Sequence, residues 1–168
     1  MLSKKIEAAL NAQLNKELFS SYLYLSMAAY FEDLNLSGMA NWMRLQADEE
    51  HVHSLKFYDF IIKISGRVTL EKIDKPKASW ESPKAAFEEA LEHEKFITKS
   101  INELTNLAIE EKDHSTNTFL HWFIDEQVEE EAAADNIVKK FNLIEDSKSG
   151  LYMLDRELGQ RTNTPVTE

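Results

Sequence analysis

The stretch SGRVTLEKIDKPKASWESP, residues 65–83, decides how the chain is threaded. It holds one glycine and two prolines, and it separates segments built for helix. Glycine and proline are otherwise scarce, confined to Gly38, Gly150, Gly159 and Pro165. Residues 1–37, 39–65 and 84–149 contain neither and are rich in Ala, Leu, Glu and Lys, a composition that favours helix. The last of these is too long for one ordinary globular helix. KDHST (112–116) is its natural break, with Asp113 or Ser115 as the cap of a new start. Ser82-Pro83 reads as an N-cap followed by proline in the first turn. Four long helices are therefore expected at about 4–33, 37–65, 83–112 and 115–142, with a short fifth at about 149–159. The first two are joined by a few residues around Asn35–Ser37, and the third and fourth just as tightly, so each pair is antiparallel. A helix of about 27 residues is roughly 40 Å long, and nineteen extended residues reach roughly 60 Å. The 65–83 stretch can cross the whole bundle and start the third helix at the same end as the second. Short, long, short connections define an all-α four-helix bundle with one long crossover. Residues 1–168 are expected to form a single domain: the bundle over about 4–142, the short C-terminal fifth helix, and a flexible tail over 160–168.

Composition narrows the function. The chain has 168 residues, 43% of them hydrophobic and 29% charged, as in an ordinary globular protein. A net charge of −11 argues against nucleic acid or an anionic membrane as partner and favours cations. Cysteine is absent, which excludes disulfides, thiolate zinc sites and iron–sulfur clusters. MLSKKIEAALNAQL (1–14) turns amphipathic after its basic start, with Glu7 and Asn11 interrupting any signal-peptide core, and no apolar run approaches a membrane span. A cytoplasmic protein is expected.

Core stripes at alternating spacings of three and four run through each long helix. They are Ile6, Leu10, Gln13, Glu17, Ser20, Tyr24, Met27, Phe31; then Met39, Met43, Gln46, Glu50, His53, Phe57, Phe60, Ile64; then Phe87, Ala90, Glu94, Ile97, Ile101, Leu104, Ala108; and Leu120, Phe123, Gln127, Glu130, Ala134, Ile137, Phe141, Ile144. Each is apolar at both ends and interrupted part-way, by Glu17, by Glu50 with His53, by Glu94, and by Gln127 with Glu130. The interval from Glu17 to Glu50 equals that from Glu94 to Gln127, 33 residues in both cases. Each half of the chain thus presents one carboxylate on its first helix and an i, i+3 polar pair on its second, and such a pair aims both side chains at a common point.

Buried without a partner, each ion would cost several kcal/mol, and crowded carboxylates would repel one another. No lysine or arginine lies on these stripes. A cation inside the bundle is the economical solution. Oxygen-rich ligation with one imidazole suits iron or manganese better than copper or structural zinc, and two metals bridged by a carboxylate would use all the ligands. The acidic run DEQVEEEAAAD (125–135) divides accordingly: Gln127 and Glu130 point inward, while Asp125, Glu131 and Asp135 read as solvated face.

These residues resemble the ferritin superfamily, whose di-iron members place a Glu on two helices and Glu-x-x-His on the other two. The resemblance is closest to non-haem bacterial and archaeal ferritins and rests on NAQLNKELFSSYLYLSMAAYF (11–31), ANWMRLQADEEHVH (40–53), ALEHEKFITKSI (90–101) and TFLHWFIDEQVEEEA (118–132). It implies a ferroxidase centre in which Glu17, Glu50 and His53 hold a first iron. Glu94, Gln127 and Glu130 line a second site with Glu50 shared, and Tyr24 hydrogen-bonds a ligand. A third iron site of related ferritins maps to Glu49, Glu126, Glu129 and Glu130. The second pair is Gln-x-x-Glu here, and an amide in place of an ionised ligand should hold iron weakly, which favours turnover. His51 stands where haem-containing relatives place a ligating Met after the bridging Glu, so no haem is expected. His93, His114 and His121 read as structural or exposed.

The resemblance further implies iron storage and detoxification: Fe2+ oxidised to Fe3+ by O2 or H2O2 and laid down as ferric oxide inside a 24-subunit homo-oligomeric shell. SGLYMLDRELGQ (149–160) would lie near the four-fold axes of that shell or pack on its own subunit. Two other readings stand beside it: a di-metal oxidase acting on an organic substrate, and a metal-free structural bundle whose polar core sets register.

Overall fold

The computed structural model describes residues 2–162. Five α-helices follow one another: α1 (Lys4–Asp33), α2 (Ser37–Lys63), α3 (Pro83–Glu110), α4 (His114–Ile144) and α5 (Lys148–Leu158). Four of them begin on side-chain caps, which satisfy amide groups that have no partner inside the helix. Ser3 accepts from the Ile6 amide, Ser82 from Ala85, Asp113 from Thr116 and Ser147 from Gly150. Pro83 opens α3 immediately after Ser82. The first three helices end alike, on a residue in the left-handed region: Asn35 (φ 57°), Ser65 (φ 62°) and Lys112 (φ 57°). The amide of the following residue bonds back five positions, Leu36 to Phe31, Gly66 to Ile61 and Asp113 to Ala108.

Between Lys63 and Pro83 the chain runs without helix along the outside of α1. Asn11 clamps its beginning, donating to the Arg67 carbonyl at 2.9 Å and accepting from the Thr69 amide at 2.6 Å. Further along α1, Ser26 donates to the Lys77 carbonyl at 2.7 Å, and buried Trp80 meets Tyr30 edge-on at 5.2 Å. The contacts climb α1 from its first turns to its last, so α3 starts at the same end as α2. Phe87 in the first turns of α3 accordingly touches Phe31 at the end of α1 and Trp42 near the start of α2.

The apolar interior falls into two clusters. One gathers Met27, Phe31, Met39, Met43, Phe87 and Phe141; the other gathers Ile6, Leu10, Phe57, Ile97, Leu120 and Phe123. Between them lies a buried belt of Gln13, Glu17, Gln46, Glu50, His53, Glu94, Gln127 and Glu130. All the stripe residues named from the sequence are buried except Ile64 and Ile144, at helix ends, which are partly so.

Helix α5 packs against α2 and, to a lesser extent, α4 of the same chain, burying Leu154 and Leu158 in the first cluster. Its Asp155 performs a task that α2 cannot do locally. The N-cap of α2 is Leu36, which has no side-chain acceptor, and Asp155 Oδ1 takes the Met39 amide at 2.8 Å instead. The backbones meet at Gly38, where a Cβ would stand 1.7 Å from the Asp155 carbonyl oxygen. Gly38→Ala should therefore unseat α5 and destabilise the subunit by about 1–3 kcal/mol, the usual cost of overpacking. Thermal unfolding checks this, and an unchanged melting temperature would show that the contact is dispensable. Of the segment 160–168 expected as a tail, 163–168 lie outside the described residues, while Arg161 is held on α2.

Candidate metal centre

The belt brings the six core polar residues together from all four long helices. Glu17 on α1 faces Glu50 and His53 on α2, and one ligand atom from each lies within 4.8 Å of the others. His53 Nδ1 stands 3.4 Å from Glu50 Oε2. Across the belt, Glu94 on α3 accepts from the Tyr24 hydroxyl and, at 3.2 Å, from Gln127 Nε2 on α4. The same amide nitrogen reaches the Glu94 carbonyl and Thr98 Oγ1, both at 3.3 Å. Glu130, one turn further along α4, accepts from Gln46 Nε2 at 2.6 Å. Glu17 is held in the same manner, by Gln13 Nε2 at 2.8 Å. Gln13 in turn accepts from Ser100, which also accepts from Lys16 at the surface.

Hydrogen bonds thus satisfy several of the belt's polar atoms. Glu50 Oε2 is buried and has no hydrogen-bond partner. It faces Glu17 and His53 on one side, and the charge of Glu94 reaches it from the other. Burial holds the carboxyls of Glu17, Glu50, Glu94 and Glu130 above their ordinary range. Glu50 adds to the rise at Glu17, and Glu94 adds to it at both Glu50 and Glu130. The Tyr24 hydroxyl is likewise pushed well up, by burial and then by the Glu94 charge. Carboxyls gathered this closely, each disfavoured as an ion by burial, form a group that could hold a cation.

The expected third site is only partly drawn together. Glu126, half-buried, comes within 3.9 Å of His53 Nε2, and His53, Glu126 and Glu130 form a second group able to hold a metal ion. Glu129 is exposed and belongs to neither group, and Glu49 is bound to Arg161. His51, His114 and His121 are exposed. His93 is mostly buried behind the centre, 2.7 Å from Ser20 Oγ and edge-on to Tyr24; burial lowers its pKa to about 4, so it is a neutral structural imidazole.

Gln13 and Gln46 stood on the stripes but were not singled out among their interruptions. Each lies four residues before a core glutamate, one helical turn away, and that spacing was their signal. Ser100 and Arg161 carried none.

Four helices that deliver carboxylates, an imidazole and an amide to one buried belt define a carboxylate-rich metal-binding helical bundle. A family model for the ferritin-like domain matches residues 7–144, and the chain belongs to that family. It is 43% identical over 161 residues to the bacterial non-heme ferritin of Bacteroides fragilis (strain 638R), a match covering 96% of this chain and all of that one. Identity to the bacterial non-heme ferritin of Staphylococcus aureus (strain MRSA252) is 37% over 162 residues, covering 96% and 98% of the two chains. Among solved structures, the open-pore ferritin of the hyperthermophilic archaeon Archaeoglobus fulgidus superposes with a TM-score of 0.96 at 49% identity, covering 96% of this chain and 99% of that one.

Proposed function

We propose that the chain is a ferroxidase that stores iron, and that Fe(II) is its substrate at the belt. The observation that carries this is the partnerless Glu50 Oε2 at the centre of four carboxyls held above their usual range. Glu17, Glu50 and His53 are assigned to the first iron, and Glu94, Gln127 and Glu130 to the second, with Glu50 shared. Oxidation removes one electron from each Fe(II), so two irons reduce one O2 to peroxide or one H2O2 to water. The protein's share is positioning and charge. Carboxylates stabilise Fe(III) over Fe(II) because the extra positive charge meets fixed negative charge in a poorly solvated site. Protons displaced from the glutamates as iron binds are available to the reduced oxygen. Tyr24 holds Glu94 in place through its hydroxyl.

Gln127 spends its amide nitrogen on Glu94 and offers only a neutral carbonyl oxygen to a metal. The second site is therefore the weaker, from which product moves on. Glu126, with His53 and Glu130, is assigned to the third site, and Glu49 and Glu129 complete it only after rearrangement.

Storage requires a hollow assembly, which we take to be the 24-subunit shell. Supporting it, α2 exposes Leu55, Tyr58 and Ile62 at one-face spacing, and α1 exposes Tyr22 and Leu25, apolar surface that a lone bundle has no use for. No helix among the described residues is long and apolar enough to cross a membrane.

Aerobic addition of Fe(II) to the metal-free protein, followed by sizing of the particle, tests the reading. Accelerated oxidation with many irons retained per subunit in a large shell is the expected result. A few tightly held irons on a small oligomer would instead mark an oxidase of organic substrates, and no acceleration would leave a structural bundle.

A further inference from the structure

The residue that follows α5 by only a few positions reaches the edge of the belt. Segment 155–161 runs along α2. Asp155 caps the start of that helix, and the Arg161 carbonyl accepts from Asn41 Nδ2 at 3.1 Å. The Arg161 side chain then lies over the Trp42 ring, 4.6 Å from its centre. Its guanidinium donates to the Trp42 carbonyl at 3.4 Å, to Gln46 Oε1 at 2.9 Å and to Glu49 Oε2 at 2.5 Å. Stacking, a backbone bond and a two-sided fork fix this group far more firmly than a surface ion pair.

Two consequences follow from chemistry alone. A guanidinium only donates, so it selects the carbonyl oxygen of Gln46 and turns the amide nitrogen the other way. That nitrogen is the donor to Glu130 Oε2 at 2.6 Å. Arg161 thus sets the orientation of a group that touches the second iron site. Glu49, for its part, has its charge already matched, and a metal ion must displace the arginine to use it.

We propose that Arg161 is a positioning residue and a built-in substitute cation: docked on α2, it keeps Glu49 from a third metal ion and points Gln46 at Glu130, so Glu49 can join such an ion only when the arginine is released. The inference rests on the assignment of the centre given above. It makes the segment just after α5, rather than the bundle alone, the part that limits how tightly a third ion is held.

The test is a calorimetric titration of the assembled, metal-free full-length protein with Zn(II), which does not change oxidation state, for wild type, Arg161→Gln, Arg161→Lys and Arg161→Gln/Glu49→Gln. Wild type should take up a strong and a weaker equivalent at the two-metal centre, and a third that is weaker still. In Arg161→Gln the third should tighten by about tenfold or more, the scale of one charged hydrogen bond, and in the double variant that gain should vanish. Lysine keeps the charge on Glu49 but lacks the fork, so Arg161→Lys should fall between wild type and Arg161→Gln. A residue that merely stapled the chain end would change the melting temperature and leave the third equivalent alone. Unchanged third-equivalent binding in Arg161→Gln, or a gain that survives Glu49→Gln, overturns the proposal. If Arg161→Gln does not assemble, the decision passes to Arg161→Lys, where no gain likewise overturns it. Failure of wild type to bind even the first two equivalents would refute the metal centre itself, a separate result.

Discussion

Glu50→Gln should nearly abolish rapid Fe(II) oxidation while making the metal-free protein more resistant to heat. Both effects come from one atom. Glu50 Oε2 is buried without a partner, and burial together with the Glu94 charge keeps the carboxyl above its usual range. In the metal-free protein the ionised form has the His53 imidazole, 3.4 Å from Oε2, but no hydrogen bond to that atom, and burial and the Glu94 charge weigh against it. Such a buried ion costs several kcal/mol even after relaxation. Glutamine has nearly the same shape, no charge, and an amide group able to donate to neighbouring carboxylates. Iron loses its shared ligand at the same time. Loss of an outer-sphere partner alone lowers metal affinity roughly 10–100-fold, so loss of a bridging ligand should slow oxidation by at least that much. Stopped-flow oxidation and thermal unfolding of the same preparation measure the pair. Activity and stability falling together would make Glu50 a structural residue.

Metal loading should protect the protein much more at neutral pH than in mild acid. The glutamates of the belt have folded pKa values raised above the ordinary 4.5. Between the unfolded and the folded pKa the native state therefore holds more protons than the unfolded chain. By linkage, stability from these groups is present below the unfolded value and is lost as pH rises through the folded one. The metal-free protein thus loses stability as pH climbs above about 4.5. A divalent cation takes the place of those protons. It binds best where they are easiest to remove, and it contributes about 2.7 kcal/mol at a hundredfold excess over its Kd. Melting temperatures of empty and Zn(II)-loaded protein across pH should diverge as pH rises. Parallel curves would show that the belt carboxyls do not bind the ion.

Sequence periodicity reported the bundle well because a buried stripe leaves a mark at every turn, and nearly every stripe residue is buried. Helix ends were less legible. The second and third helices stop two residues short of the expected 65 and 112. Ser65 and Lys112 themselves take the left-handed conformation, and no side-chain preference announces that for serine or lysine. The six polar residues that interrupt the stripes were legible from their matched spacing, and all six are buried in the belt. Long-range partners were not. The cap of α2 comes from Asp155, 116 positions away, and the guanidinium beside the belt comes from Arg161, 112 positions from Glu49. Neither lies on a stripe, and only packing brings them close.

The interior of the bundle is split, with apolar packing complete on each side of the charged belt. Folding is therefore secured by two blocks of hydrocarbon, and the chemistry occupies the seam between them. A ligand exchanged in the seam alters affinity, rate or stoichiometry while the packing within each block remains. Subunits of this design can change what they bind, and how loosely, while the scaffold stays as it is.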